Sequence, residues 1–294
     1  MPVIDSHIHL FTEAMARDPI GWAEKHREYI WRECVAPPRR PSLQGWPTIE
    51  QTLRDMDAAK VERVVLQGWY WQKPDSCQIQ NRFYAELIHR YPDRFSACVS
   101  LHPPSGPSTM EAIGWAMDLG FCGVGEIHPQ AQNFSLRDAC WQRVMEKIAP
   151  WGAPVTLHVT DPQSPSHPGK IATPLEDYLE LAQSWPEQDF ILAHLGGRLP
   201  LLYPNSFRGG EFPNLYFDCA ALPLLYEPGI LGQIARITGP EKILFGTDYP
   251  LKTFPRKQRV PGFALAIDHL EKSGLSPKDL ELVLAGNIRR LMGW

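Results

Sequence analysis

The chain has 294 residues, 44% of them hydrophobic and 21% charged, and a formal net charge of −4. This length allows one large core or two ordinary domains. No basic cluster suggests nucleic-acid affinity, and no apolar run approaches the roughly 18 residues of a membrane-spanning helix, so composition favours a protein that acts on a small molecule.

Short β-branched runs alternate with helical patterns along the chain. The predicted strands cover residues 3–7, 63–67, 95–101, 122–127, 155–159, 190–194, 215–219 and 243–246. The predicted helices cover residues 49–59, 79–90, 110–119, 136–148, 174–184, 229–237 and 263–272. From the second strand onward, strand starts recur at intervals of about thirty residues, the size of one βα unit.

Near-continuous apolar strands that alternate with helices predict an α/β fold with a parallel sheet covered on both faces. Eight such units favour closure into a (β/α)8 TIM barrel, with residues 1–294 as a single domain. An open doubly wound sheet is the alternative, but no glycine-rich phosphate loop follows the first strand. Residues 276–294 are expected to form two short helices that close the barrel.

An extended loop, residues 10–48, separates the first strand from the first predicted helix. Half of the ten tryptophans fall on this loop and on the connection after the second strand: Trp22, Trp31, Trp46, Trp69 and Trp71. Such side chains can anchor a long loop, or they can form an aromatic wall over the substrate, because active sites of barrels lie on this face. Residues 10–48 are therefore a candidate lid, and Trp69 and Trp71 are candidate substrate-binding residues.

Metal-binding side chains stand at the carboxyl ends of strand patterns that are far apart in sequence. His7 and His9 are two residues apart on the first strand, so both project to the same face. His158, His194 and Asp248 end the fifth, sixth and eighth strand patterns. Any one of them alone is usually a hydrogen-bonded structural group or a turn residue, but a closed barrel would gather all five around one point. Imidazoles and a carboxylate converging in this way predict a divalent metal site.

Further polar residues end other strand patterns. Glu126 follows the fourth strand, where it is either a metal ligand or a carboxylate that orients a ligand histidine. His102 and His128 each precede a proline at a strand end, and they are candidate substrate contacts or ordinary loop residues. A carboxylated substrate would need a cation, and five basic residues lie on connections that could reach the barrel mouth: Arg39, Arg40, Lys73, Lys170 and Arg198.

Three segments carry a family resemblance. They are residues 4–9 (Ile-Asp-Ser-His-Ile-His), 193–197 (Ala-His-Leu-Gly-Gly) and 245–250 (Phe-Gly-Thr-Asp-Tyr-Pro). They resemble the motifs of the amidohydrolase-related family, the branch of the amidohydrolase superfamily that includes aminocarboxymuconate-semialdehyde decarboxylase. Residues 91–95 and 286–291 also resemble its patterns, so the similarity runs over nearly the whole chain.

This resemblance implies a divalent metal held by His7, His9, His158 and Asp248. His194 would then lie beside the metal as an acid–base group, with Asp248 able to accept a proton. Zinc is the expected ion and manganese is possible. The resemblance also implies a possible homodimer. With Glu126 added, the chain is similar to TatD-type hydrolases, in which a carboxylate at this position bridges two metals, so one or two ions are expected.

Three functions follow from these observations. A metal-dependent hydrolase acting on a small amide, ester or lactone is the preferred hypothesis, because a bound metal makes water nucleophilic near neutral pH. The alternative is a nonoxidative decarboxylase of an aromatic or muconate-like acid, which agrees with the family resemblance and the tryptophan-rich loops. A catalytically inactive barrel used as a binding subunit is the third, and the intact set of donor residues argues against it.

The cysteines and the N-terminus bear on localisation. The six cysteines form no C-x-x-C pair, and three of them fall in apolar strand patterns where a thiol acts as a small hydrophobic side chain. The N-terminus lacks the basic segment and the apolar stretch of a secretory signal. We therefore expect reduced cysteines and a cytoplasmic protein.

Overall fold

The computed structural model describes residues 2–252 and 260–294. Its centre is a sheet of eight parallel strands hydrogen-bonded in the order of the sequence. The strands are β1 (Val3–Ile8), β2 (Val61–Leu66), β3 (Phe95–Val99), β4 (Gly123–Ile127), β5 (Val155–Leu157), β6 (Phe190–Leu192), β7 (Leu215–Asp218) and β8 (Ile243–Leu244).

The sheet curls into a nearly closed ring because β1 also bonds to the segment that follows β8. The Ser6 N–H donates to the Phe245 carbonyl at 2.7 Å, and the His9 N–H donates to the Tyr249 carbonyl at the same distance. The Asp248 N–H returns a bond to the His7 carbonyl at 2.9 Å. The predicted (β/α)8 barrel is therefore confirmed. Its closure brings His7 and His9 of β1 next to Asp248, which follows β8.

Helices cover the outside of the ring. The main ones are Ile49–Ala58, Pro74–Arg90, Pro107–Asp118, Ala139–Ile148, Glu176–Ser184, Gly229–Thr238 and Ala264–Glu271. Shorter helices span Leu199–Leu202, Pro204–Arg208 and Leu222–Leu225. Each buries one apolar face; Ala139–Ile148, for example, buries four side chains at helical spacing: Trp141, Val144, Met145 and Ile148. No helix in the two described ranges is long and apolar enough to cross a membrane.

The candidate lid is more ordered than the sequence predicts. Residues 10–48 contain three short helices, Glu13–Arg17, Pro19–His26 and Tyr29–Val35, where the sequence predicts a loop. The Thr12 and Asp18 side chains cap the first two helices at their amino ends. A separate apolar cluster packs the lid onto the connection after β2; its buried members are Met15, Trp22, Ala23, Trp31, Val35, Trp71 and Cys77.

The C-terminal segment closes the barrel as predicted. Helices Pro277–Glu281 and Asn287–Met292 flank a π-helical turn, Leu282–Gly286. Ala285 and Ile288 of this segment pack with side chains from four strands: Ile4, Ile191, Tyr216 and Leu244. The buried Asn287 amide donates to the Pro240 and Ile243 carbonyls at 2.8 and 2.7 Å, which ties the segment to the amino end of β8.

Candidate metal centre

The barrel gathers six polar side chains at the carboxyl ends of its strands. His7 and His9 project from β1, and Glu126 projects from β4. His158 directly follows β5, whereas His194 and Asp248 lie two and four residues beyond the observed ends of β6 and β8. Strands β6 and β8 are thus shorter than predicted. Both His194 and Asp248 adopt left-handed backbone conformations, with φ of 58° and 62°, that do not belong to a strand.

The distances between donor atoms are close to those around a common ion. Nε2 of His7 lies 3.1 Å from Nε2 of His9, which lies 3.5 Å from Oδ1 of Asp248. Oε2 of Glu126 lies 3.6 Å from Nε2 of His9 and 3.8 Å from Nε2 of His7. Ligands about 2.1 Å from one metal ion are separated from each other by roughly 3.0–3.4 Å.

Hydrogen bonds on the far side of each ring orient these nitrogens. Nδ1 of His7 donates to Asp218 at 2.8 Å, and Nδ1 of His9 donates to the Gln67 carbonyl at 3.0 Å. Nδ1 of His194 likewise donates to the Ala220 carbonyl at 3.0 Å. Each Nε2 is therefore left with a lone pair that faces the centre, as is typical of metal-binding histidines.

Two facing lone pairs repel each other unless a metal ion or a proton lies between them. His7 and His9 present such a pair at 3.1 Å, and both rings are buried. Burial lowers the pKa of His7, but the carboxylates of Asp218 and Glu126 outweigh it and raise that pKa to about 10. Positive charge is thus favoured at this point, so the donor set fits a divalent cation.

Glu126 contacts both halves of the centre. Its Oε1 accepts a hydrogen bond from Nδ1 of His158 at 2.8 Å and lies 3.9 Å from Nε2 of His194. Burial works against its charge, but His158 and His7 outweigh burial and hold the pKa of Glu126 well below its usual range. The donors divide into two groups that could each hold an ion: His7, His9 and Asp248; and Glu126, His158 and His194.

Asp218, at the end of β7, is a functional residue that sequence reasoning missed. One carboxylate oxygen accepts from Nδ1 of His7, and the other accepts the backbone N–H groups of His194 and Ala220 at 3.0 Å each. The sequence carries a signal for it, because Asp218 is a charged residue that directly follows the apolar residues 215–217 within the predicted strand. It was overlooked because an aspartate at a strand end is usually a turn residue.

His194 begins a left-handed turn. Five consecutive residues, 194–198, have φ between 55° and 69°, and three of them are not glycine. This conformation costs roughly 1–2 kcal/mol for each L-residue. Hydrogen bonds that His194 donates from its backbone N–H to Asp218 and from Nδ1 to the Ala220 carbonyl offset that cost. A further bond from the Tyr226 hydroxyl to the His194 carbonyl measures 3.3 Å. Strain retained in this way is characteristic of functional sites.

A cleft of about 180 Å³ opens over these donors. Much of its wall is apolar and includes Val35, Leu43, Trp69, Val159, Leu224 and Leu225. The rings of Trp69 and Tyr70 stack with centroids 4.5 Å apart. Trp69 lies edge-on to His9 at 5.3 Å, and Tyr70 lies 5.1 Å from His158, so an aromatic wall borders the donor atoms directly.

Of the four residues predicted to contact the substrate, only Trp69 lines the cleft as the described residues place it. Trp69 lines the cleft, but Trp71 is fully buried in the lid cluster, where its Nε1 donates to Gln80 at 2.7 Å. Trp71 therefore supports the lid and cannot meet a molecule in the cleft as placed. His102 lines a separate, smaller pocket, and its Nδ1 lies 2.7 Å from the Ser105 hydroxyl. The buried His128 is also outside the cleft wall, and its ring stacks on that of His158 with centroids 4.8 Å apart.

The five basic residues predicted to reach the barrel mouth also occupy different places. Lys170 lines the cleft, whereas Arg198 pairs with Asp161 at 2.7 Å. Arg39, Arg40 and Lys73 lie outside the cleft wall.

Comparison with known proteins now identifies the family. The family model described as Amidohydrolase matches residues 4–294. The chain belongs to the amidohydrolase family. This confirms the resemblance found in the sequence.

Solved structures share the fold at low identity. A 5-carboxyvanillate decarboxylase from Sphingomonas paucimobilis matches with a TM-score of 0.72 at 16% identity, covering 99% of each chain. A 2,6-dihydroxybenzoate decarboxylase from Rhizobium matches with a TM-score of 0.69 at 18% identity, covering 100% of this chain and 99% of that one. A dihydroxybenzoic acid decarboxylase from Polaromonas, solved with bound manganese and 2-nitroresorcinol, matches at 0.68 and 18%, covering 99% and 97%.

Proposed function

We propose that this amidohydrolase-family protein is a metal-dependent, nonoxidative decarboxylase of planar aromatic or muconate-like acids. The observation that carries the proposal is the aromatic wall of Trp69 and Tyr70 set directly against the metal-binding histidines. Such a wall suits a flat conjugated ring whose carboxylate points at the donors. The similar solved structures named above are decarboxylases of hydroxylated aromatic acids, which supports this function over the hydrolase that the sequence favours.

By the family resemblance, His7, His9, His158 and Asp248 would hold the ion; His7, His9 and Asp248 form one donor group, and His158 contributes from the adjacent group. A bound divalent ion supplies positive charge to the substrate carboxylate and adjacent oxygen atoms. Nitrogen and oxygen donors suit zinc and manganese alike, and the manganese in the Polaromonas enzyme makes manganese the first ion to test.

The reaction exchanges a carbon–carbon bond for a carbon–hydrogen bond. The pair of electrons from the broken bond stays on the ring carbon, carbon dioxide departs, and one proton must be delivered to that carbon. Nε2 of His194 and the carboxylate of Asp248 both line the cleft and can carry this proton. The apolar wall excludes water from the carboxylate, which removes solvation that would otherwise favour the charged reactant.

The test is a pair of substrate panels with manganese- and zinc-loaded protein. Release of carbon dioxide is measured for hydroxybenzoates and muconates, and release of acid is measured for lactones, esters and amides. We expect carbon dioxide from at least one acid, and none from a His7→Ala/His9→Ala variant that has lost its metal. Acid release from a lactone or ester without any carbon dioxide would contradict the proposal.

Hydrolysis is the second candidate, because Glu126 connects two donor groups. A second ion would favour a metal-activated water over decarboxylation. Elemental analysis separates the two candidates: a hydrolase of this kind should hold two ions per chain and lose one in a Glu126→Gln variant. A decarboxylase should hold one ion in both proteins.

A further inference from the structure

Lys170 lines the same cleft as Glu126, His158 and His194. Its Nζ donates to the Ser164 carbonyl at 2.5 Å. No carboxylate of the described chain forms an ion pair with it, and the undescribed residues 253–259 contain neither Asp nor Glu. An ammonium group has three N–H donors, so one that is hydrogen-bonded to a backbone carbonyl and has no carboxylate partner among the described residues keeps the capacity to bind an anion.

Neighbouring groups on the cleft wall leave this positive charge uncompensated. Asp161 lines the cleft but is already neutralised by Arg198, whose Nε lies 2.7 Å away. Burial raises the pKa of the Cys34 thiol to about 12, so that group is neutral. The remaining carboxylates on the cleft, Glu126 and Asp248, belong to the candidate metal centre.

The backbone holds Lys170 in place against the lid. Gly169 has a φ of 77°, and a Cβ atom at this position would lie only 2.3 Å from Sγ of Cys34. The Lys170 N–H also donates to the His167 carbonyl at 3.1 Å, which closes a turn. The connection after β5 therefore packs closely against the lid at Gly169, which fixes the backbone position of the adjacent Lys170.

We propose that Lys170 selects substrates that carry a second anionic group. This inference rests on the proposed function: one carboxylate of a planar acid faces the metal-binding donors, and a second carboxylate binds Nζ of Lys170. The substrate class is then a conjugated dicarboxylic acid rather than a simple benzoate. A charge-assisted hydrogen bond in such a cleft corresponds to a preference of about 10- to 100-fold in affinity.

Calorimetric titration of manganese-loaded protein tests this directly with two probes, isophthalate and benzoate, at fixed ionic strength. The wild type should bind isophthalate about 10- to 100-fold more tightly than benzoate. Lys170→Met should abolish the preference, because isophthalate affinity should fall to the level of benzoate while benzoate affinity falls by much less. Lys170→Arg should keep part of the preference, and Lys147→Met, at an exposed lysine on the helix Ala139–Ile148, should keep all of it. Thermal unfolding monitored by circular dichroism checks that each variant is folded.

The outcomes separate this inference from the proposed decarboxylation. A wild type without preference for isophthalate, or a preference that survives in Lys170→Met, overturns the role of Lys170. Lys170-dependent binding in a protein that releases carbon dioxide from no acid supports the anion site and contradicts the decarboxylase. If Lys170→Met releases carbon dioxide from dicarboxylates with the kcat and KM of the wild type, the proposed decarboxylation is supported and the role of Lys170 is contradicted.

Discussion

Asp218 acts through other residues at the candidate metal centre. It fixes the tautomer of His7 through Nδ1, and it binds the backbone N–H that begins the left-handed turn at His194. Burial opposes its charge, but His7 outweighs burial and lowers the pKa of Asp218. A single carboxylate thus orients one donor ring and one strained segment.

Asp218→Asn should weaken metal binding about 10- to 100-fold, because an amide accepts the Nδ1–H of His7 less strongly and can present an N–H instead. Competition with a chelator would measure the metal affinity of the folded variant. Asp189→Asn, at a half-buried aspartate before β6, is the matched control and should bind metal as the wild type does. Equal affinity in Asp218→Asn would show that this carboxylate does not tune the site.

For individual residues, the sequence predicted which side chains could bind a metal better than it predicted which way each side chain points. His7, His9, His158, His194 and Asp248 converge as the strand pattern implies, because β-strand periodicity and barrel closure determine where strand ends meet. Trp69 and Trp71 could not be told apart, since the segment after β2 is irregular and has no period to assign faces. Asp218 was not predicted, because an aspartate at the end of a strand is usually a turn residue.

The elements that frame the cleft are tied to each other as well as to the barrel. Glu28, between two lid helices, accepts the Gln72 N–H at 2.9 Å, and the Gln72 side chain accepts the Ile30 N–H at 3.1 Å. These reciprocal bonds join the lid to the connection after β2. The lid helices themselves were not predicted, because segments of five to eight residues show too little periodicity.

Glu28 makes the stability of this junction depend on pH. Burial raises the pKa of its carboxyl from 4.5 to about 7 in the folded protein. As pH rises, the carboxyl of Glu28 therefore loses its proton in the unfolded chain before it does so in the folded protein. The stabilisation that this proton gives the folded state is complete below pH 4.5 and is lost as pH rises through about 7. Relative to Glu28→Gln, the wild type should lose about 2 kcal/mol of unfolding free energy between pH 5 and pH 8.

Urea unfolding of both proteins at several pH values measures this difference. Glu146→Gln, at an exposed glutamate, should follow the wild type throughout. Parallel stability curves for Glu28→Gln and the wild type would show that Glu28 does not titrate in this range.

In the whole molecule, the candidate metal centre and the packing of the C-terminal segment lie at opposite ends of the barrel. Donors and cleft lie beyond the carboxyl ends of the strands, while the C-terminal segment packs on Ile4 and Leu244 and reaches the amino end of β8 through Asn287. The alternation of strands and helices predicted this arrangement, because parallel strands joined by helices must present all carboxyl ends on one face. Substrate choice could not be predicted, since it depends on irregular connections.

Asn287→Ala should lower the free energy of unfolding by about 2–3 kcal/mol, because it leaves one buried and one part-buried carbonyl without their donor. Metal affinity and KM should be unchanged. Denaturant unfolding and a metal titration on the same preparation provide both measurements, with Lys278→Ala, at an exposed lysine of the same segment, as the control. A change in metal affinity comparable to that of a donor variant would show that the two ends are coupled.

The aromatic lid also equips the protein with its own optical probe. Five of its ten indole rings lie in or against the lid cluster, and the ring of Trp69 approaches that of His9 to 5.3 Å. One native fluorophore, Trp69, therefore borders a cation-binding ring directly. Arrival of a paramagnetic ion such as manganese should quench its emission, so occupancy can be followed without any attached dye.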